Sequence, residues 1–377
     1  MTRRSPETAA SRAIRAGAPG IASSSRFRRP RGPLCGRGYC GQCGITTAAG
    51  PVLACQVSPE HAASSLRDIS SAPPLAPAPP RGPVRSYDEL DADEVMVGAG
   101  DARRDAFVVD PRRGDVVVGV YPARTLTLLR GDRMLSVRFE RLVLDTGSYE
   151  RLPPIPGNDL PGVVGLAAAE RYGEAAALRA GLKLAVWAAK SQFARVRELA
   201  AGHGLEIVWI DDVAPRAIVG KRKVEAVVTD RRIACELFVV GVRQPAIELA
   251  QQAGATAALT SDGVPILALT ATPPWLEVVG EAAASSSGVP DVEAADDALA
   301  CACADVRVSD LKACVDEGFA HPELVKRRTG AMTGFCQGKL CAAAVLAVLR
   351  ERGVDPTPTR ARPLAVPVAL GELAANA

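Results

Sequence analysis

The sequence predicts an α/β chain: a central domain of alternating strands and helices, flanked at each end by a small cysteine-bearing module. Three observations predict this. Between about residues 87 and 285, short apolar runs alternate with helical patterns, the signature of a largely parallel sheet. Residues 71–85, Ser-Ala-Pro-Pro-Leu-Ala-Pro-Ala-Pro-Pro-Arg-Gly-Pro-Val-Arg, can continue neither a helix nor a central strand and read as a semi-extended linker. Eight of the ten cysteines fall into two groups, one at each end of the chain.

Composition bounds the function. The 377 residues suggest two or three domains at roughly 100–200 residues each, and 48% hydrophobic residues can bury real cores. Aromatic residues make up 4% and the formal charge is +3, so neither stacked bases nor an anionic membrane has support as the main partner. No apolar run is long enough to span a bilayer. The one marked charge excess is N-terminal. Arg3, Arg4, Arg12, Arg15, Arg26, Arg28, Arg29 and Arg31 stand there against Glu7 alone, a composition of organelle transit peptides. Arg3-Arg4 hints at a twin-arginine signal, but Ala16–Ala22 is too short and polar for its apolar region, so a domain edge is the expected reading. Ten clustered cysteines are too few for a disulfide scaffold and read as metal sites in a cytoplasmic protein.

In the centre, strands are predicted at Glu94–Val97, Asp115–Val120, Leu142–Leu144, Leu182–Trp187, Leu205–Ile210, Val224–Val228 and Leu237–Val240. Helices are predicted at Ala167–Ala180, Gln192–Ala201 and Ala246–Gly254. A second break, Ser285–Pro290, precedes a helical C-terminal piece. The domains are therefore drawn at 1–70, the linker at 71–86, then 87–285 and 291–377.

The first cysteine group is Cys35-Gly-Arg-Gly-Tyr-Cys40-Gly-Gln-Cys43, with Cys55 after eleven further residues. C-x₄-C-x₂-C with a distant fourth cysteine is the plant-type [2Fe–2S] spacing. Two irons need four thiolates from one tight loop, and Gly36, Gly38 and Gly41 let backbone N–H groups turn towards sulfur. A zinc ribbon would favour two C-x₂-C knuckles, and only one is present. A plant-type ferredoxin fold starts with a hairpin, and residues 1–31 offer no convincing strand pair. This module is expected to be open on one side and to need cover from the central domain or a partner.

The second group is Cys301-Ala-Cys303, then Cys336 and Cys341 in a C-x₄-C pair, with helical patterns at Ser309–Glu317 and Pro322–Arg328 between them. Residues 338–352 read as a closing helix with Cys341 in its first turn, where the helix N-terminus favours thiolate charge. The run Thr329-Gly-Ala-Met-Thr-Gly-Phe-Cys-Gln-Gly-Lys-Leu-Cys341 resembles the bacterioferritin-associated-ferredoxin type of [2Fe–2S] domain. Structural zinc is the competing reading here too, although a C-x-C pair is unusual for it. Cys235 and Cys314 read as buried apolar thiols.

The central motifs are sparser. Gly98-Ala-Gly100-Asp-Ala-Arg103 follows a strand, but Arg103 stands where a dinucleotide loop needs glycine or alanine, and Pro111 and Gly114 leave no room for a full helix. Leu182–Trp187, a helix and Leu205–Ile210 ending at Asp211 form a βαβ-like unit, whose turn Ala188-Ala-Lys-Ser191 has no glycine. Leu142-Val-Leu-Asp-Thr146-Gly147, followed by Pro153-Pro-Ile-Pro-Gly157, and Val278-Val-Gly280-Glu281 look like the Ala-Thr-Gly and second flavin motifs of two-dinucleotide-binding (FAD/NAD) flavoproteins. The histidines, His61, His203 and His321, read as surface residues, and no catalytic base is assigned.

Taken in order, these modules resemble the α subunit of heteromeric sarcosine oxidase and its relatives in hydrogen cyanide synthase and opine or proline dehydrogenases. The resemblance implies a truncated FAD/NAD-binding domain between a plant-type ferredoxin-like and a helical [2Fe–2S] domain. It implies cluster ligands Cys35, Cys40, Cys43, Cys55, Cys301, Cys303, Cys336 and Cys341, and flavin contacts at Gly98, Gly100, Thr146, Gly147, Gly280 and Glu281. The expected role is electron relay beside a separate FAD-containing subunit that oxidises an amine or amino acid, in a hetero-oligomer. FAD on this chain stays open, and the missing glycine loops argue against NAD(P). Two alternatives stand beside it: a self-contained NAD(P)H-linked iron–sulfur flavin reductase and a non-catalytic scaffold subunit.

Overall fold

The computed structural model describes residues 6–18, 20–24, 26–47, 50–62, 67, 68, 86–98, 106–366 and 368. The proline linker, Gly100 and Arg103 lie outside these residues.

The N-terminal module holds helix α1 (Ala9–Arg15), strands β1 (Ala22–Ser23), β2 (Pro30–Arg31), β3 (Gly44–Thr47) and β4 (Gly50–Leu53), helix α2 (Pro59–Ala62) and strand β5 (Arg67–Asp68). The arginine-rich segment is more structured than its composition suggests. Thr8 and Ser11 close a reciprocal cap on α1, Thr8 Oγ1 accepting from the Ser11 amide at 3.1 Å. Its β1 and β2 pair antiparallel as a two-residue-per-strand hairpin.

The central domain continues with β6 (Ser86–Gly98), β7 (Phe107–Val109), β8 (Val116–Tyr121), β9 (Thr125–Arg130), β10 (Arg133–Asp145), β11 (Ser148–Glu150) and β12 (Val163–Gly165). Then come α3 (Leu166–Glu174), β13 (Lys183–Trp187), α4 (Phe193–His203), β14 (Glu206–Asp211), β15 (Ala217–Val219), β16 (Ala226–Val228), β17 (Arg232–Ala234), β18 (Leu237–Val240) and β19 (Arg243–Pro245). It closes with α5 (Glu248–Gln252), β20 (Thr256–Leu259), β21 (Leu267–Ala271) and β22 (Leu276–Val278). All seven predicted strands are present. The seventh, β16, lies in a separate antiparallel sheet, β15-β16-β17, and two sheets hold the other six. One, in the order β7-β6-β10-β9-β8 with β22 on β10, is parallel among β6, β7, β10 and β22 and antiparallel beyond. The other, β12-β18-β13-β14, is parallel throughout.

Alternation along the second sheet sets the two cores. Leu184, Val186, Leu237 and Val239 face α3, α4 and the N-terminal module. Ala185, Trp187, Phe238 and Val240 face the opposite core with Cys35, Cys40, Cys235 and Cys336. Two predicted helices are shorter than expected. The first stops at Glu174 because the chain turns at Ala176 (φ 52°), a left-handed conformation that an alanine run does not announce. The third keeps only Glu248–Gln252.

The C-terminal module follows with β23 (Leu299–Cys301), β24 (Val306–Arg307), α6 (Val308–Asp316), α7 (Pro322–Thr329) and α8 (Ala342–Glu351). His321 caps α7, its Nδ1 accepting from the Glu323 amide at 3.1 Å. His203 ends α4 half-buried against Gly173, so it is not a free surface residue.

Candidate functional site: two buried four-cysteine centres

The first centre lies in the loop between β2 and β3, closed by Cys55 after β4. All four thiols are buried. The thiols are neighbours that influence one another in sequence, Cys40 with Cys35, Cys35 with Cys55 and Cys55 with Cys43. Burial resists charge on Cys35, yet the Cys40 and Cys55 thiols and the Arg37 amide (N to Sγ 3.4 Å) hold it well below the usual thiol range. Cys40 and Cys55 move the opposite way, each pushed up first by its contact with Cys35.

The open side of this module is covered by the central domain. The Gly165 amide donates to the Leu34 carbonyl at 2.8 Å, and Gly36 lies against Ala168 of α3. Tyr39 bonds the buried Glu150 carboxylate, which also accepts from the Ala167 amide at 3.0 Å on the first turn of α3. Sequence reasoning missed Tyr172 of α3. It is buried, and its hydroxyl has no hydrogen-bond partner. Burial comes first and charge on Cys55, Cys43, Cys35 and Cys40 next in pushing its phenol up, and its hydroxyl oxygen stands beside Gly36 of the cysteine loop. A buried donor without an acceptor is costly, and anionic sulfur there would supply one.

The second centre joins β23, the turn after it, the loop after α7 and the start of α8. The thiols are again neighbours in a chain, Cys303 with Cys336, Cys336 with Cys341 and Cys341 with Cys301. Contacts with Cys303 and Cys341 hold Cys336 well below the thiol range, helped by the Leu340 and Gly338 amides. Cys301 is lowered by Cys341 in the same way, with the Ala304 and Met332 amides aimed at it. Cys341 is the N-cap of α8, one position before the first turn expected for it. Gly334 is required by close approach: a Cβ there would stand 2.2 Å from the Cys303 Cβ. Arg151, also missed, is buried without a carboxylate partner. Burial lowers it to about 10, and charge on Cys341 is the opposing influence.

The two centres abut. The Cys303 thiol reaches the Cys40 carbonyl at 4.0 Å, Phe335 packs over Gly41, and Tyr39 meets Tyr149 edge-on at 4.9 Å. Arg31 locks them together, pairing with Asp159 and, at 2.8 Å, with Asp305 in the turn beyond Cys303. The donor set fits an iron–sulfur cluster: buried thiols strung in a chain, backbone amides on sulfur and an orphaned hydroxyl alongside. Among the described residues no group of three or more His, Cys, Asp or Glu side chains is gathered for a single metal ion. Cys235 and Cys314 stand apart as buried thiols, Cys235 pushed up to about 11 by burial.

The positions named for flavin partly converge. Gly98, Thr146-Gly147 and Gly280-Glu281 meet at the carboxyl ends of β6, β10 and β22, where α/β sheets take ligands. Each is engaged within the fold. A Cβ on Gly98 (φ 136°) would lie 2.2 Å from the Asp145 carbonyl oxygen, so glycine serves strand contact there. Thr146 Oγ1 donates to the Ala246 carbonyl at 2.7 Å, and Glu281 accepts from Ser148 at 2.7 Å while pairing with Arg243. At the βαβ-like unit, Ala188 is packed where pyrophosphate would need room, and Asp211 accepts from the Val213 amide at 3.1 Å.

Fold and site together define a mixed α/β protein whose chain ends fold back to form paired, buried thiol centres. Residues 298–377 match the family described as the sarcosine oxidase A3 domain. Over 122 residues the chain is 32% identical to hydrogen cyanide synthase subunit HcnB of Pseudomonas protegens, covering 30% of this chain and 26% of that one. The chain thus spans about a quarter of the length of the curated relative it matches. The fold is similar to L-proline dehydrogenase from P. horikoshii, with TM-score 0.74 and 15% identity over 98% of this chain and 94% of that one. The C-terminal module is thus similar to the sarcosine oxidase A3 domain, and the fold of the chain to that of a proline dehydrogenase. No helix among the described residues is long and apolar enough to cross a membrane.

Proposed function

We propose that the chain is the iron–sulfur electron-transfer subunit of a heteromeric, flavin-dependent oxidoreductase acting on an amine or amino acid, working in the cytoplasm. The observation that carries it is the pair of abutting four-thiol centres. Cys35, Cys40, Cys43 and Cys55 would hold one [2Fe–2S] cluster, and Cys301, Cys303, Cys336 and Cys341 the other. Such a centre, when bound, carries one electron at a time. The chain's own residues bury seven of the eight thiols, Cys303 being half-buried, aim amides at them, and through Arg31 fix one module against the other. Substrate oxidation is assigned to a partner, an FAD-containing subunit, in keeping with the likeness to a hydrogen cyanide synthase subunit and the sarcosine oxidase A3 domain. The A3-domain match, the relative named as a hydrogen cyanide synthase subunit and the proline-dehydrogenase-like fold all support this reading. The central domain is read as a truncated FAD/NAD-binding unit, with the carboxyl-end crevice around Gly98, Gly147 and Gly280 as its remaining flavin position.

The test is iron, acid-labile sulfide, zinc and flavin analysis of purified protein with its visible spectrum. Four irons and four sulfides per chain support the proposal. About one zinc per chain with no sulfide overturns it. Bleaching of the spectrum by NADH alone would favour a self-contained reductase, whereas bleaching that needs an amino-acid-oxidising flavoprotein would favour the relay subunit.

A further inference from the structure

A cavity of about 300 Å³ opens between α5, α7, the start of α8 and the tail segment 359–365. It borders the second thiol centre without including any of its cysteines, and lies apart from the first centre and from the crevice at the carboxyl ends of β6, β10 and β22. Four cations line it, Lys326, Lys339, Arg360 and Arg362, against two carboxylates, Glu248 and Glu323. Two of the cations already face a carboxylate: Glu323 pairs with Lys326, and half-buried Glu248, which accepts from the Tyr149 hydroxyl at 3.3 Å, lies near Lys339. Arg360, which donates to the Gln251 carbonyl at 2.9 Å, and Arg362 are the cations in excess. Burial is the first influence on Glu248 and raises it, favouring its neutral form.

Two groups in the wall have hydrogen-bonding capacity left over. Lys339 is 8% exposed; its ammonium donates to the Ala365 carbonyl at 3.2 Å and sits 5.7 Å from the Tyr149 ring centre with Glu248 nearby, so one of its three protons has a hydrogen-bond acceptor. Gln252 is 4% exposed; its carbonyl oxygen accepts from the Val120 amide at 3.0 Å, but its Nε2 has no partner. Folding does not leave a buried ammonium and a buried amide under-used unless something completes them. The remaining wall is apolar: Ile247, Leu267, Met332, Ala342, Ala343 and Leu364. The volume exceeds what an inorganic oxyanion fills, and it suits a small organic body.

We propose that this cavity binds a small organic anion, carrying its carboxylate or phosphate against Lys339, Gln252 and Arg362 and its apolar part against Ile247 and Met332. The two headgroups share this chemistry, charge-assisted N–H bonds to oxygen, and the test separates them. The cavity wall includes Gln337, Gly338 and Lys339 from within the Cys336–Cys341 loop, so occupancy also stiffens the support of the second thiol centre.

The experiment is calorimetric titration of the full chain with phenyl phosphate, phenylacetate, inorganic phosphate and benzyl alcohol. Saturable one-to-one binding is expected for one of the two aryl anions, tighter than inorganic phosphate. Phenyl phosphate alone identifies a phosphate site, and phenylacetate alone a carboxylate site. Arg362→Ala, at an exposed position that the fold does not need, is expected to weaken binding about tenfold, and Lys339→Met to weaken it further. Absence of saturable binding by either aryl anion at millimolar concentration overturns the proposal. So does equal binding of benzyl alcohol, or an Arg362→Ala protein that binds as tightly as the parent. Iron analysis is read on the same samples, so failure of the thiol-centre reading is seen independently of this one.

Discussion

Replacing Arg31 by methionine isolates the contact that joins the two ends of the chain. The guanidinium is 4% exposed and lies between two buried carboxylates, Asp159 of the central domain and Asp305 of the C-terminal module. Methionine keeps most of the volume and removes the charge, leaving both carboxylates short of a cation. Breaking a buried pair from one side costs ~3–5 kcal/mol. The lower end applies here. Arg29 remains 3.9 Å from Asp159, the Arg26 amide still donates to Asp305 at 2.9 Å, and the Nε of Arg31 makes no bond even in the parent. About 3 kcal/mol in a chain of this size corresponds to a fall in melting temperature on the order of 4 °C. Differential scanning fluorimetry reads it. The double variant Arg31→Met/Asp305→Asn should recover part of the loss, because the stranded charge is then removed as well. A drop under about 2 °C, or no recovery in the double variant, would refute the argument that this triad clamps the modules together.

Gly334→Ala should halve the iron content while leaving the first centre's spectrum intact, since the new Cβ would sit 2.2 Å from that of Cys303; full iron retention would count against the second centre. Tyr172→Phe should stabilise metal-free protein by about 1 kcal/mol, by removing an orphaned hydroxyl, and lower the reduction potential of the loaded first centre; a spectroelectrochemical titration with no shift would sink the second half. Arg151→Met should be neutral or stabilising without metal, because a lone buried cation goes, but destabilising when anionic sulfur is bound nearby; equal melting shifts in both forms would argue against that pairing. The thiol of Cys235 is raised by burial from its ordinary 9.0 to about 11, so the folded state holds its proton longer than the unfolded chain. Its contribution, on the order of 2–3 kcal/mol, is full below pH 9 and is lost between pH 9 and about 11. Cys235→Ala should flatten that part of the stability profile.

The cysteine groups were legible because ligand spacing is local: one loop of nine residues and one C-x₄-C pair state their purpose without the rest of the fold. The strands were legible because alternation and apolar runs are local too, and all seven appear where predicted. Tertiary roles were not. Gly98 reads as half of a nucleotide loop, yet its missing side chain is explained by the Asp145 carbonyl on the neighbouring strand. The α3 run of alanines carries no stop signal, so its end at Glu174 is set by the turn at Ala176. Tyr172 and Arg151 have unremarkable neighbours in sequence, and only burial beside thiols singles them out.

The arginine-rich N-terminus shows most clearly what a one-dimensional reading loses. As composition, its charge excess suggests an address label. As structure, Arg26 pairs with Asp310 at 2.6 Å, Arg31 with Asp159 and Asp305, and Arg15 donates to the Ala175 and Ala176 carbonyls where α3 ends. Those partners lie up to 284 residues away, and no periodicity can encode contacts at that separation. Arg26 and Arg31 therefore carry an interface charge, balanced by acids on the other two modules, while Arg12 and Arg15 pair with Glu7 inside their own. Because Asp305 follows Cys303 by two residues, the interface also sets where the second thiol centre stands relative to the first. Loss of the arginines should show first as separation of the two centres, before either loses its thiol packing.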